Sequence, residues 1–277
     1  MKVHLHNAVL TLGMIALLNS PAVAAKGTPS AVTQEHRVNA LVKKDAIKLI
    51  DIAGKQRMLS QRIAKDYLYI GKKIAVDKAS KQLQESLKEF KAGQAKLEES
   101  INDPEIKNLL AFVDLSLGEL EGIVKTKFTL DNAQLVLDLS ESMLEGSQYV
   151  VDSLKKIANV KESKIVATSG KQRMLAQRIA KYYIAYQAGI KDKNTVDQMR
   201  AAVKEFSQNH KLLMENRDNT ATINQKLAQV DRLWKIVYKF YLNIEKGGLP
   251  FIVFTTTDDI TKKMDTITKL YIQLYNK

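Results

Sequence analysis

One phrase of twelve residues occurs twice in this chain. Residues Gly54 to Lys65 read Gly-Lys-Gln-Arg-Met-Leu-Ser-Gln-Arg-Ile-Ala-Lys, and Gly170 to Lys181 repeat them with a single change, Ser60 becoming Ala176. Eleven identities in twelve at a separation of 116 residues exclude coincidence, so the chain is a tandem duplication. Lys88-Glu89-Phe90 returns as Lys204-Glu205-Phe206 at the same offset, and beyond that point the halves diverge. Whatever keeps the two phrases alike is therefore local to them.

Two copies of roughly 115 residues fall within the usual domain range, and each is long enough to bury a modest core. The first 25 residues differ from the rest: Lys2, an apolar run from Ala8 to Leu18, then Pro21-Ala22-Val23-Ala24-Ala25. The run is too short to span a bilayer, and small residues follow it where a signal peptidase needs them. A signal peptide is expected over residues 1–25, cut near Ala24 or Ala25, with delivery to the periplasm. No later stretch approaches 18 uninterrupted apolar residues, so stable membrane insertion is not expected.

Composition removes several chemistries. There is no cysteine, hence no disulfide and no thiolate. Beyond residue 25 the histidines are His36 and His210, which are not spaced as a metal pair. The net charge of +13 becomes +12 without Lys2, but the lysines are spread along the chain, and export argues against nucleic acid as a partner.

Proline is scarce while leucine, lysine, alanine and glutamine abound, which is helical composition. Punctuation predicts helices over Gln34 to Gly71, Lys78 to Asn102, Pro104 to Lys127 and Asp131 to Ala158, then Lys161 to Gly189, Thr195 to Asn216, Thr222 to Lys246 and Thr256 to Tyr275. The expected fold is all-α: two tandem up-down-up-down four-helix bundles, residues 34–158 and 161–277, packed as a pseudo-twofold dimer. Two bundles strung end to end are the alternative.

On a helical wheel the first phrase separates three faces. Leu49, Ile52, Leu59, Ile63 and Ile70 form a seam for the bundle core, and Asp51, Lys55, Arg62, Asp66 and Tyr69 form a polar flank. The third face holds Ile50, Ala53, Gly54, Arg57, Met58, Gln61, Ala64 and Leu68, matched in the second copy by Val166, Ser169, Gly170, Arg173, Met174, Gln177, Ala180 and Ile184. Glycine inside a helix costs about 1 kcal/mol relative to alanine, so its presence here in both copies points to close approach or an exposed amide. If these faces meet, Arg57 opposes Arg173, and two unit charges about 5 Å apart repel by roughly 3 kcal/mol at an effective dielectric near 20. One small trigonal anion between two guanidinium forks relieves that repulsion. A lone arginine on such a face more often snorkels or pairs with a carboxylate, which is the competing reading. Gln61 and Gln177 either orient the arginines or tie the helices together.

Ile50-Asp51-Ile52-Ala53-Gly54 followed by Gln56-Arg57-Met58-Leu59-Ser60-Gln61-Arg62-Ile63-Ala64 resembles the P-box of the periplasmic domains of nitrate/nitrite sensor kinases, and the PilJ-type ligand-binding domain of pilus and chemotaxis receptors. The resemblance implies four-helix modules with the motif on the first helix. It further implies one nitrate at a twofold axis, held by the arginine before methionine of each module and by backbone near the glycine. Carried over by motif, those positions are Arg57 with Gly54 and Arg173 with Gly170. The family's usual asparagine is Asp51 in the first copy and Ala167 in the second, and Ser169 replaces an alanine. A carboxylate at residue 51 either opposes an anion or partners an arginine.

The expected function is a soluble periplasmic sensory protein for nitrate or nitrite, with Arg57, Arg173, Gly54 and Gly170 as ligand residues and Gln61, Gln177, Met58 and Met174 in support. It reports to a membrane sensor kinase or chemoreceptor. A helical interaction module without a ligand is the alternative. No enzyme is expected, because no nucleophile and base pair, metal cluster or phosphate loop is visible, and no cofactor is expected either.

Overall fold

The computed structural model describes residues 31–159 and 161–275, and the signal peptide expected over residues 1–25 lies outside them. Contacts divide the chain after Val38, and the helices that pack together belong to the unit Asn39–Lys277. Among the described residues there are eight α-helices and no strand: α1 (Ala31–Gly71), α2 (Val76–Ser100), α3 (Pro104–Val124), α4 (Leu130–Ala158), α5 (Lys161–Ala188), α6 (Lys193–Met214), α7 (Ala221–Leu242) and α8 (Pro250–Tyr275), with a 3-10 turn at Ile244–Lys246.

The helix starts have the expected chemistry. Asp103 accepts from the Ile106 amide with Pro104 at the first helical position, and Thr129 accepts from the Asn132 amide at the start of α4. Asp192 and Thr220 cap α6 and α7 in the same way. Helix α8 differs from expectation, since it begins at Pro250 and not at Thr256. Gly247, at φ 69°, ends the preceding turn, but a proline just beyond a stop also opens a helix well, because its φ is preset and its missing N–H is not needed there.

Helices α1 and α5 are the buried centre. From Ala53 to Tyr69 every residue is buried except Lys55 and Arg62, and from Val166 to Ala185 every residue is buried except Thr168, Lys171 and Arg178. A helix buried all round has neighbours on every side. α1 bonds to α2 through Gln56, to α4 through Gln61, to α5 through Arg57 and to α8 through Lys65. The expected polar flank is thus corrected: Asp66 and Tyr69 are fully buried, and Tyr69 faces α8, where its hydroxyl donates to the Pro250 carbonyl at 2.9 Å and its ring meets Phe254 edge-on.

This burial explains why two separated pieces of sequence stayed alike. Gln56 Nε2 donates to the Phe90 carbonyl at 2.9 Å, and Gln172 Nε2 donates to that of Phe206 at 3.0 Å. Lys55 pairs with Glu89 and Lys171 with Glu205. The repeated Lys-Glu-Phe is the docking partner of the repeated phrase. The lysines that close the phrase are also buried and reach across the duplication: Lys65 Nζ lies 2.7 Å from Asp258 on α8, and Lys181 pairs with Glu141 on α4.

Two glycines give a contrasting test. A Cβ at Gly93 on α2 would stand 2.9 Å from Gln56 Oε1, so Gly93→Ala is expected to displace that amide and cost roughly 1–3 kcal/mol. A Cβ at Gly118 on α3 meets nothing within 4 Å, so Gly118→Ala is expected to gain up to about 1 kcal/mol from helix propensity. Urea unfolding of the two variants separates them, and equal shifts would contradict the docking role of Gln56.

Candidate functional site

The two third faces meet. A methyl group built on Gly54 would stand 3.3 Å from Arg57 Nη2 and 3.5 Å from Arg173 Nη2, and one on Gly170 would stand 3.1 Å from Arg173 Nη2 and 3.8 Å from Arg57 Nη2. Both guanidinium groups therefore lie against both glycines, where α1 and α5 approach. Each arginine is at most 1 % exposed, and each keeps a buried Nε without a hydrogen-bond partner.

Their partners differ. Arg173 lies between two carboxylates: Nη1 is 2.6 Å from Asp265 Oδ1 on α8, and Nη2 is 2.6 Å from Asp51 Oδ1 on α1. Arg57 Nη1 donates instead to the neutral Gln148 Oε1 on α4 at 2.5 Å, and Nη2 reaches the Ala167 carbonyl at 3.5 Å. Among the described residues no carboxylate is in ion-pair contact with it. Gln148 in turn donates to Asp152 at 2.8 Å.

The pattern is a symmetry broken at two positions. Across α1 and α5, residues correspond at an offset of 116, which sets Asp51 against Ala167. In the fourth helices the contacts correspond at 117: Lys65 meets Asp258 where Lys181 meets Glu141, and Arg173 meets Asp265 where Arg57 meets Gln148. Both places that hold a carboxylate around Arg173 are neutral around Arg57. Burial would lower the Arg173 pKa, but Asp51 and Asp265 outweigh it and raise it. Burial, reinforced by Arg173, pulls Arg57 down to about 10 against the weaker pull of Asp152 and Glu205. Arg57 stays cationic at neutral pH without a matching charge.

Gln61 donates to the Ser140 carbonyl at 2.9 Å, and Gln177 to Thr261 Oγ1 at 2.8 Å, so each ties its helix to the fourth helix of its own copy and neither bonds to an arginine. Met58 and Met174 are buried in the core. Asp265 and Gln148 escape a reading of the sequence, because α4 and α8 share no visible motif and their register is shifted by one residue. The one signal available was the acidic pair Glu141 and Asp258 at that same shifted offset.

Arg57 also lines an open cleft of about 810 Å³, bordered by Gln148, Asp152, Lys155, Lys156, Lys164 and Lys171 among others. No group of three or more histidine, cysteine, aspartate or glutamate residues suited to a metal ion occurs among the described residues. Among them, too, no helix is long and apolar enough to cross a membrane.

A family model described as the type IV pili methyl-accepting chemotaxis transducer N-terminal region matches residues 41–123 and 158–244. Each match spans the first three helices of one copy and stops before the fourth, which carries Gln148 or Asp265. No curated protein and no solved structure matches the chain. With both matched segments opening on the helix that bears the repeated phrase, and together covering more than half its length, the chain belongs to the PilJ family as a tandem of two such domains.

Proposed function

We propose that this chain is a soluble periplasmic sensory protein that binds a small oxyanion, nitrate or nitrite, where α1 and α5 meet, and passes its occupancy to a separate membrane sensor kinase or chemoreceptor. It binds and does not catalyse. The observation that carries the reading is Arg57: a fully buried cation facing a second arginine across two glycines, with a neutral amide as its side-chain partner. A buried charge without a counter-charge is costly, and an anion offsets that cost. In this reading Arg57 and Arg173 supply the donors, Gly54 and Gly170 leave the room, and Gln61, Gln177, Met58 and Met174 hold the two helices in place. The family, described as the N-terminal part of a chemotaxis transducer, supports a sensory role, and the leader read over residues 1–25 supports the location.

One observation favours a second reading. Asp51 and Asp265 already neutralise Arg173, as befits a helical interaction module that has kept the fold and lost the ligand. Titration calorimetry with sodium nitrate and sodium nitrite decides between the two. One anion per chain is expected, with at least roughly tenfold weaker binding in Arg57→Lys, which keeps the charge and loses the fork. No heat from either anion would leave the second reading standing.

A further inference from the structure

We infer that the cleft beside Arg57 is a binding site for an organic anion with two acidic groups, one held at Arg57 and the other by the lysines at the rim. The inference rests on the anion reading of Arg57 given above and names a larger ligand class for the same site.

Three observations lead there. The first is the broken symmetry: the Asp51 carboxylate, 2.6 Å from Arg173 Nη2, repels an anion on that side and shifts it towards Arg57. The partners of Arg57, Gln148 and the Ala167 carbonyl, carry no net charge, so no carboxylate competes with an anion on that side. The second is the balance of charge in the cleft. Its lining holds five cations, Arg57, Lys155, Lys156, Lys164 and Lys171, against the carboxylates Asp152 and Glu205. Those two carboxylates are already taken, Asp152 by Lys155 and Glu205 by Lys171. Arg57, Lys156 and Lys164 are left without an ion pair among the described residues. The third is size, because about 810 Å³ is far more than a four-atom anion fills and lies within the range of sites for small organic molecules.

The geometry also orders the ligand. Arg57 is buried at the floor with an unpartnered Nε, so one acidic group is desolvated there, while Lys156 and Lys164 are exposed and take the other in partial contact with water. Thr168, Asn159 and Asn209 line the space between and offer neutral hydrogen bonds to the body of the ligand.

Calorimetry on the full chain with acetate, succinate and nitrate tests this, using the parent, Arg57→Lys and the double variant Lys156→Gln/Lys164→Gln, whose exposed positions leave folding intact. Succinate is expected to bind at least roughly tenfold tighter than acetate at low ionic strength. The double variant should remove that advantage and leave nitrate unchanged, and added salt should erode the succinate advantage first. Nitrate binding through Arg57 with succinate no better than acetate overturns the larger ligand and leaves the oxyanion site. Binding of none of the three overturns both.

Discussion

Arg173→Ala is expected to lower the melting temperature by roughly 10 °C, while Arg57→Ala leaves it close to the parent's. The two residues come from nearly identical phrases and are equally buried, so the difference lies wholly in their partners. Removing Arg173 strands Asp51 and leaves Asp265 with only the exposed Lys269, and breaking a buried ion pair from one side costs roughly 3–5 kcal/mol. Their side chains are 21 % and 26 % exposed, so water meets part of that cost and the lower end applies. At roughly 2–4 °C per kcal/mol for a chain of this size, the loss is large and easily seen. Removing Arg57 frees two neutral acceptors, the Gln148 amide, which keeps its bond to Asp152, and the Ala167 carbonyl at 3.5 Å, and it relieves both a desolvated charge and its repulsion of Arg173. The cavity left behind offsets that relief, and the net change is expected within about 1 kcal/mol. Thermal unfolding in a buffer without oxyanions reads both variants side by side. Equal losses would mean that the two half-sites are equivalent and that Asp51 and Asp265 do not anchor Arg173.

Asp66→Asn is expected to stabilise the protein at pH 8 by a few kcal/mol, with the gain shrinking to nothing towards pH 4. Asp66 is fully buried, and its nearest cation, Lys65 Nζ at 3.3 Å, lies closer to Asp258 at 2.7 Å. Burial, opposed by Lys65 and reinforced by Asp258, pushes the Asp66 pKa from its ordinary 3.8 up to about 7. Because the folded value lies above the unfolded one, the folded state favours the protonated acid. Its contribution to stability is complete below about pH 4 and is lost as pH rises through 7, at about 1.4 kcal/mol for each pH unit between those two values. Asparagine keeps the shape and cannot ionise, so the variant lacks that loss. Urea unfolding of parent and variant at pH 5, 6, 7 and 8 measures the difference, and a gap that does not change with pH would show that Asp66 does not titrate in this range. Lys65 keeps its pairing with Asp258 in the variant, so the comparison isolates one carboxylate.

The polar positions show how far a helical wheel can be trusted. It found the face that carries Gly54 and Arg57, which the structure sets against the second copy, yet it assigned to a polar flank Asp66, which is fully buried, and Tyr69, which α8 covers. A wheel sorts residues around one axis and contains nothing about what approaches from outside. For an outer helix one apolar stripe is enough information, but α1 and α5 have neighbours on all sides, and burial there no longer follows side-chain polarity. The same limit hid Lys65 and Lys181, whose long stems place an ammonium against a carboxylate of the other copy while the residue reads as an exposed lysine.

Residue order was enough to establish the duplication, the all-helical composition, most helix boundaries through their caps and breakers, and the face of each copy that carries an arginine and a glycine. These follow from spacing within one helix and from the near-identity of two twelve-residue phrases, and both are local. What each arginine touches is settled by packing. That depends on the register of α4 and α8 against α1 and α5, and one extra residue between the corresponding positions, 117 in place of 116, turns a helix by about 100°. At the unshifted offset Gln148 would correspond to Met264 and Asp265 to Tyr149, and no carboxylate would be assigned to either arginine from α8 or α4. The rotation that sets Asp265 beside Arg173 and Gln148 beside Arg57 is a property of packed helices and not of either phrase, which is why two nearly identical stretches of sequence hold one cation that is neutralised and one that is not.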